Sequence, residues 1–278
     1  MSSRSLLPDP VQRLSRRTVL AGLGLAAARP AAASQPMHLR LGTSGDIGGF
    51  VIYANALADA LSWANPALSI KLVRTEGSAE NVALLREGQI DIGLAFGEVV
   101  YPLFNAGSAT LSNSAATGMG TGLRVISAAF SSPGMFMVRG DSRFRSIEDL
   151  KGRAVVWNVR GSAVALQARY VLEPLGLDPD RDFEPVYTER MSDGPTLLLE
   201  GQASALWGAG KRWPGFITVI ADPRGGQFVT PSDAESQRIV DRYRFLHRIE
   251  VPAGRYRRQY EPLQTVGSWS YLLAGPLL

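Results

Sequence analysis

Apolar and polar positions alternate in blocks along most of the chain, and the period of the alternation switches repeatedly between two and about 3.6. Residues 38–42 read as a strand, and 50–64 as an amphipathic helix stopped by Asn65-Pro66, because proline cannot continue it. Ser69 to Arg74 alternates as a strand, 78–87 reads as a helix ending at Gly88, and 90–96 is apolar enough for a buried strand. Residues 105–122, rich in Gly, Ser, Ala and Thr, read as a loop. A long extended segment, 123–138, follows with a break at Ser131-Ser132-Pro133-Gly134. Ser146-Ile147-Glu148-Asp149 has the form of a capping box opening one helical turn. Strand 153–158, helix 162–173, strand 183–187, helix 195–200, strand 203–207 and helix 231–243 complete the pattern, with an extended apolar end.

Strands alternating with helices predict an α/β architecture with largely parallel sheets. Leu84-Leu85-Arg86-Glu87-Gly88-Gln89 matches Leu197-Leu198-Leu199-Glu200-Gly201-Gln202, each a helix end with glycine just past it and a strand next. The echo implies two lobes of similar units with a cleft between them: 34–138 plus 217–278 as lobe I, and 139–216 as lobe II. Such a cleft is a common place for a small ligand.

The first 33 residues lie outside this pattern. Ser15-Arg16-Arg17-Thr18 precedes a short apolar run, Val19 to Ala28, and a small-residue site ending at Ala33. This is the form of an export signal, cleaved after Ala33. The paired arginines fit twin-arginine export, with an ordinary secretory signal as the alternative. The run is too short to cross a bilayer, which takes about 20 apolar residues. A periplasmic protein that does not span the membrane is expected.

The leader also changes the charge argument. The full chain holds 29 Lys and Arg against 25 Asp and Glu. Removing the leader's five arginines and one aspartate leaves 24 of each sign. A neutral mature chain has no electrostatic case for nucleic acid. There is no cysteine, hence no disulfide or thiolate chemistry, and His38 and His247 are the only histidines. A zinc site or a Ser-His-Asp triad would need ligands or partners that this composition hardly supplies. The expectation is a binding protein without metal or cofactor rather than an enzyme. An exported hydrolase using Ser44 or Ser78 is the competing class.

Gly42-Thr43-Ser44-Gly45-Asp46-Ile47-Gly48-Gly49 joins a strand to a helix and lacks the lysine of a P-loop. Glycines there let the backbone approach a ligand, and free N–H groups at a helix start favour an anion such as a carboxylate. Gly77-Ser78 and Gly161-Ser162 open two further helices in the same way. Ser78 and Ser162 can equally be plain caps. Arg160 offers a bidentate partner for a carboxylate.

These residues carry a family resemblance. Gly42-Thr43-Ser44-Gly45 with Gly48-Gly49, then Gly77-Ser78-x-x-Asn81, Leu84-Leu85 and Asp91-Ile92-Gly93, resemble the first half of a TAXI-type solute receptor of TRAP transporters. Val138-Arg139-x-Asp141-Ser142, Ser146-Ile147-x-Asp149-Leu150-Lys151-Gly152, Gly161-Ser162, Pro231-Ser232, Val251-Pro252-Ala253-Gly254-x-Tyr256 and Gln264-Thr265-Val266-Gly267 continue the series in order. The resemblance implies a two-lobed clamshell of the periplasmic-binding-protein type (type II-like). It would close on a small organic acid or amino acid and then dock on TRAP-type membrane subunits. On the matching positions, Ser44, Gly45, Gly77, Ser78 and Asn81 would bind from the first lobe, and Gly161 and Ser162 from the second. Asp193, at another helix start, would receive an ammonium or act as a cap. A membrane signalling partner, or a relative that no longer binds, are the alternatives.

Departures from the family pattern bear on the pocket. Phe50-Val51-Ile52-Tyr53 replaces an aromatic pair with proline, Phe96-Gly97-Glu98 stands where polar residues are usual, and Ala163-Val164 follows Ser162. Trp207 and Trp213 flank Lys211-Arg212. With Phe96 and Trp207 lining it, the pocket would suit a larger or less polar acid than glutamate. The family usually continues for some tens of residues beyond position 278, so apolar sheet surface is expected to lie uncovered.

Overall fold

The computed structural model describes residues 36–45, 48–109, 122–276 and 278. The expected export signal and its cleavage site therefore lie outside the described residues, as do Asp46, Ile47 and most of the expected 105–122 loop. Ten strands form one sheet: β1 (Met37–Gly42), β2 (Leu68–Val73), β3 (Ile92–Phe96), β4 (Arg124–Arg139), β5 (Ala154–Val159), β6 (Glu184–Thr188), β7 (Ala205–Ala209), β8 (Gly226–Val229), β9 (His247–Val251) and β10 (Leu263–Ala274). Among the described residues seven α-helices accompany them: α1 (Gly49–Ala64), α2 (Ser78–Arg86), α3 (Gly97–Ala109), α4 (Ala163–Leu172), α5 (Gly194–Leu199), α6 (Pro214–Ala221) and α7 (Asp233–Arg242). The order across the sheet is β2-β1-β3-β10-β4-β7-β5-β6, with β8 on β4 and β9 on β10.

Two long antiparallel strands make this one sheet into two halves. Near its C-terminal end β10 pairs with β3, while its N-terminal end pairs with β9. Strand β4 pairs with β10 along Arg124–Gly134, then turns its last residues to β7 and β8. On either side of this crossing the pairs β1–β2, β1–β3, β5–β6 and β5–β7 are parallel, but the five pairings made by β4 and β10 are antiparallel, so the sheet is mixed rather than largely parallel as expected.

The core follows the same division. Leu41, Phe50, Ala54 and Ile92 bury one face of the first half, and Val82, Leu85, Ile90 and Val100 the other. In the second half, Phe136, Trp157, Val171 and Trp207 pack with Val229, Ile239, Leu246 and Val266. On its opposite face Met135, Met137 and Leu206 pack with Phe216, Val219, Val251 and Tyr256. Residues 217–267 thus share their buried contacts with the second half, contrary to the expected return of 217–278 to lobe I. Only the end of β10, from Ser270 on, pairs with β3 of the first half. The physical reason is that α6, β8, α7 and β9 bury their apolar faces on the far ends of β4 and β10.

The internal echo is structural as well. Gln89 N–H donates to Leu84 O and Gln202 N–H to Leu197 O, at 2.8 and 2.9 Å, across glycines at φ 67° and 78°. Both helices end in the same 6→1 Schellman turn, which needs the left-handed residue that glycine supplies without strain. Ser146 and Asp149 exchange backbone and side-chain bonds as the sequence predicts. The pattern misses all of α3, where Pro102 breaks the periodicity and residues 105–109, expected as loop, are helical, and the short elements α6, β8 and β9. The break expected at 131–134 is absent, because β4 runs through it.

Candidate functional site

Where the two halves face each other, a cleft encloses about 450 Å³ of empty space, part of it open to solvent. The first half contributes Ser44, Gly48, Gly49 and Phe50, then Glu76, Gly77 and Ser78, and Phe96 at the end of β3. The second contributes Ser162, Ala163 and Val164 from the start of α4, with Met191, Ala209 and Trp213. Four helices, α1, α2, α4 and α6, therefore begin at this one cleft. Their first N–H groups have no partner within the helix, and their dipoles make the space favourable for negative charge. Among the described residues no lysine or arginine lines it, and Glu76 is the single ionisable side chain there. The walls are apolar and aromatic, with Phe50 stacked on Phe96 at 4.6 Å.

Hydrogen bonds behind the cleft hold these loops in place. Asn81, fully buried, donates from Nδ2 to Thr43 O and Leu94 O, both at 2.8 Å, and accepts from Thr75 Oγ1 at 2.9 Å. It thereby ties the loop after β1, the loop after β2 and strand β3 together. Ser78 is the first residue of α2, behind an N-cap Gly77 at φ 110°. Its hydroxyl does not cap the helix but accepts from Phe96 N–H at 3.0 Å. In the second half, Ser162 does cap α4, accepting from Ala165 N–H. Trp207 donates from Nε1 to Val164 O, and Asn158 donates to Trp207 O, so β5, β7 and the first turn of α4 lock together. Tyr256 Oη accepts from Trp213 N–H and donates to Gly210 O, seating the start of α6. Burial raises the pKa of this phenol.

Of the residues the sequence singled out, Ser44, Gly77, Ser78, Phe96 and Ser162 line the cleft. The others do not. Gly45 and Gly161 adjoin it in the chain, the latter in a left-handed turn at φ 79°. Asn81 is spent on the backbone, and Trp207 is a buried core residue rather than a wall. Arg160 lies over the Tyr187 ring at 3.7 Å and 4.0 Å from the Asp180 carboxylate. Asp193 pairs with Arg190. An expected carboxylate clamp and an ammonium acceptor are thus both occupied by neighbours on their own half. Sequence reasoning did not select Met191, Ala209 or Glu76 as site residues, and named Trp213 only as a departure from the family pattern that bears on the pocket. Trp213-Pro214 carried a usable signal, since proline at the first helical position marks a helix start.

Among the described residues no group of three His, Asp or Glu could hold a metal ion, and no helix is long and apolar enough to cross a membrane.

A model of the NMT1-like family matches residues 41–276. The chain belongs to the NMT1-like family. The match spans both halves and every element that lines the cleft. Solved structures agree on the fold. The alkanesulfonate-binding protein SsuA from Xanthomonas axonopodis pv. citri, bound to MOPS, is similar over 87% of this chain and 67% of that one, with 18% identity and a TM-score of 0.50. The BenM effector-binding domain with its effector benzoate is similar over 87% and 85%, with 12% identity and a TM-score of 0.51. The periplasmic aliphatic sulphonate binding protein SsuA from Escherichia coli shows 19% identity, a TM-score of 0.49 and coverages of 87% and 66%. The chain thus spans about two thirds of the length of the sulfonate-binding proteins it matches. Its fold is the mixed α/β clamshell of periplasmic binding proteins, with the cleft between its halves.

Proposed function

We propose that this NMT1-like protein is an extracytoplasmic solute receptor that holds a small carboxylate or amino acid between its two halves and delivers it to a TRAP-type membrane transporter. The observation that carries the reading is the convergence of helix starts from both halves on a cleft that no basic side chain lines among the described residues. Such a site binds an anionic head through backbone N–H groups and its body through Phe50, Phe96, Met191 and Trp213. Binding then draws the halves together about β4 and β10, the hinge motion of a clamshell. The ordered TAXI-type motifs support TRAP delivery, and the arginine-bearing leader supports export to the periplasm by the twin-arginine route. A sulfonate is the second reading, because the same N–H groups suit any compact anion and a structurally similar protein is alkanesulfonate-binding.

Thermal unfolding with a panel of amino acids, aliphatic and aromatic carboxylates and alkanesulfonates tests this. A ligand at a hundred times its Kd adds about 2.7 kcal/mol and raises the midpoint. Ala163→Phe, which fills the cleft at the start of α4, should abolish that rise while leaving the unliganded midpoint in place. If no acid moves the midpoint, or if Ala163→Phe responds like the parent, the cleft is not the site.

A further inference from the structure

Glu98 sits one residue into α3, immediately behind the cleft wall made by Phe96, and is wholly buried. Its carboxylate accepts from Ser268 Oγ at 2.7 Å and from Gln167 Nε2 at 2.8 Å. The same Gln167 nitrogen donates to Ser132 O at 3.0 Å. Ser268 and Ser132 are register partners in β10 and β4, at the point where both strands pass from one half to the other. The hydroxyls of Ser132 and Ser270 meet beside them at 3.1 Å. A helix of the first half, a helix of the second and both crossing strands thus converge on one acid. Gly97 permits the approach, since a methyl group there would lie 2.9 Å from Ser268 Cβ.

We propose that Glu98 is a proton-sensing latch between the halves, holding the cleft closed when its carboxyl is protonated and releasing it when the carboxyl ionises. The device rests on the reading of the cleft as one that opens and closes. Rotation about β4 and β10 separates α4 from α3, takes Gln167 from the carboxyl and admits water. The closed form therefore prefers the neutral acid and the open form the anion. Burial raises this pKa to about 7, against the opposing effect of the bonds from Ser268, its own backbone and Gln167. No basic side chain contributes. The titratable groups that feel its charge are Tyr170 on α4 and Tyr271 on β10, both raised first by burial and then by Glu98. On α3 itself Tyr101 stacks on Phe245 of the second half, and β4 brings only Ser132. One acceptor also stays unmet at the joint, the Oε1 of Gln167.

The chain has no cysteine, so a pair introduced as Ala79→Cys and Glu189→Cys, one beside each wall of the cleft, takes spin labels cleanly. Pulsed electron resonance then reads the distance between the halves without any ligand. Should opening return the carboxyl to its ordinary value of 4.5, the closed-to-open ratio changes about 30-fold between roughly pH 5.5 and 8.5, with closure favoured in acid. Glu98→Gln should hold one distance across that range. Ser268→Ala, which keeps the acid but removes a bond favouring its ionised form, should move the midpoint of the change upward. A pH-independent distance in the parent overturns the latch, as does the same pH response in Glu98→Gln or an unmoved midpoint in Ser268→Ala. Because no ligand is present, such a failure leaves the receptor reading to the ligand panel.

Discussion

Replacing Asn81 by alanine removes three hydrogen bonds from a site with no access to water. Two backbone carbonyls, Thr43 O and Leu94 O, lose a donor, and Thr75 Oγ1 loses an acceptor. A net hydrogen bond is worth about 1 kcal/mol, and each buried group left without a partner costs about 1–3 kcal/mol. Thr75 Oγ1 also lies 3.1 Å from Thr43 O and can redirect to it, so that one loss is partly recovered. The expected total is about 4 kcal/mol, a large share of the 5–15 kcal/mol that a domain has in hand. Urea unfolding followed by tryptophan fluorescence should show this as a lower midpoint with an unchanged slope. Asn81→Asp should do at least as badly, because a second carboxylate oxygen then faces two carbonyls. A loss below about 1 kcal/mol in Asn81→Ala, together with lost ligand binding, would refute the reasoning. It would restore Asn81 to the role of ligand contact that its motif implies.

Two further outcomes follow from packing and burial. Gly134→Ala places a methyl 2.5 Å from the Trp207 ring and 2.7 Å from Gln167 Oε1, at the crossing of β4, so it should cost several kcal/mol or prevent folding; an ordinary melting temperature for this variant would contradict the packing described. For Glu98 the folded pKa of about 7 lies above the ordinary 4.5, so its contribution to stability is complete below pH 4.5 and is lost as pH rises through 7. Stability of Glu98→Gln relative to the parent should therefore grow with pH over that window, by at most about 3 kcal/mol, and a flat difference between pH 4 and 8 would count against a buried carboxyl.

The elements that could be read from the chain are those whose own side chains set the period. Helices α1, α2, α4 and α7 and strands β1, β3 and β5 carry amphipathic or continuous apolar runs with glycine, proline or serine at their ends, and these act locally. The turns at Gly88 and Gly201 are local in the same sense, as is the box of Ser146 and Asp149. That several helices begin with glycine and serine was also visible. Their meeting at one cleft was not, because it depends on which strands lie side by side.

The same limit explains the residues whose roles changed. Ser78 and Asn81, three apart on α2, fall on the face that packs on β3, so one bonds a strand amide and the other a loop carbonyl and a strand carbonyl. Arg160 and Asp193 had the right chemistry for a ligand, but Asp180, Tyr187 and Arg190 satisfy them first. Residues 217–267 joined the second half because β4 and β10 run long enough to offer that half its own edge, a property of pairing over some hundred residues of separation. Glu98 is the sharpest case. Nothing around Phe96-Gly97-Glu98 marks it as buried, and only the crossing of two strands between two helices takes water away from its carboxyl.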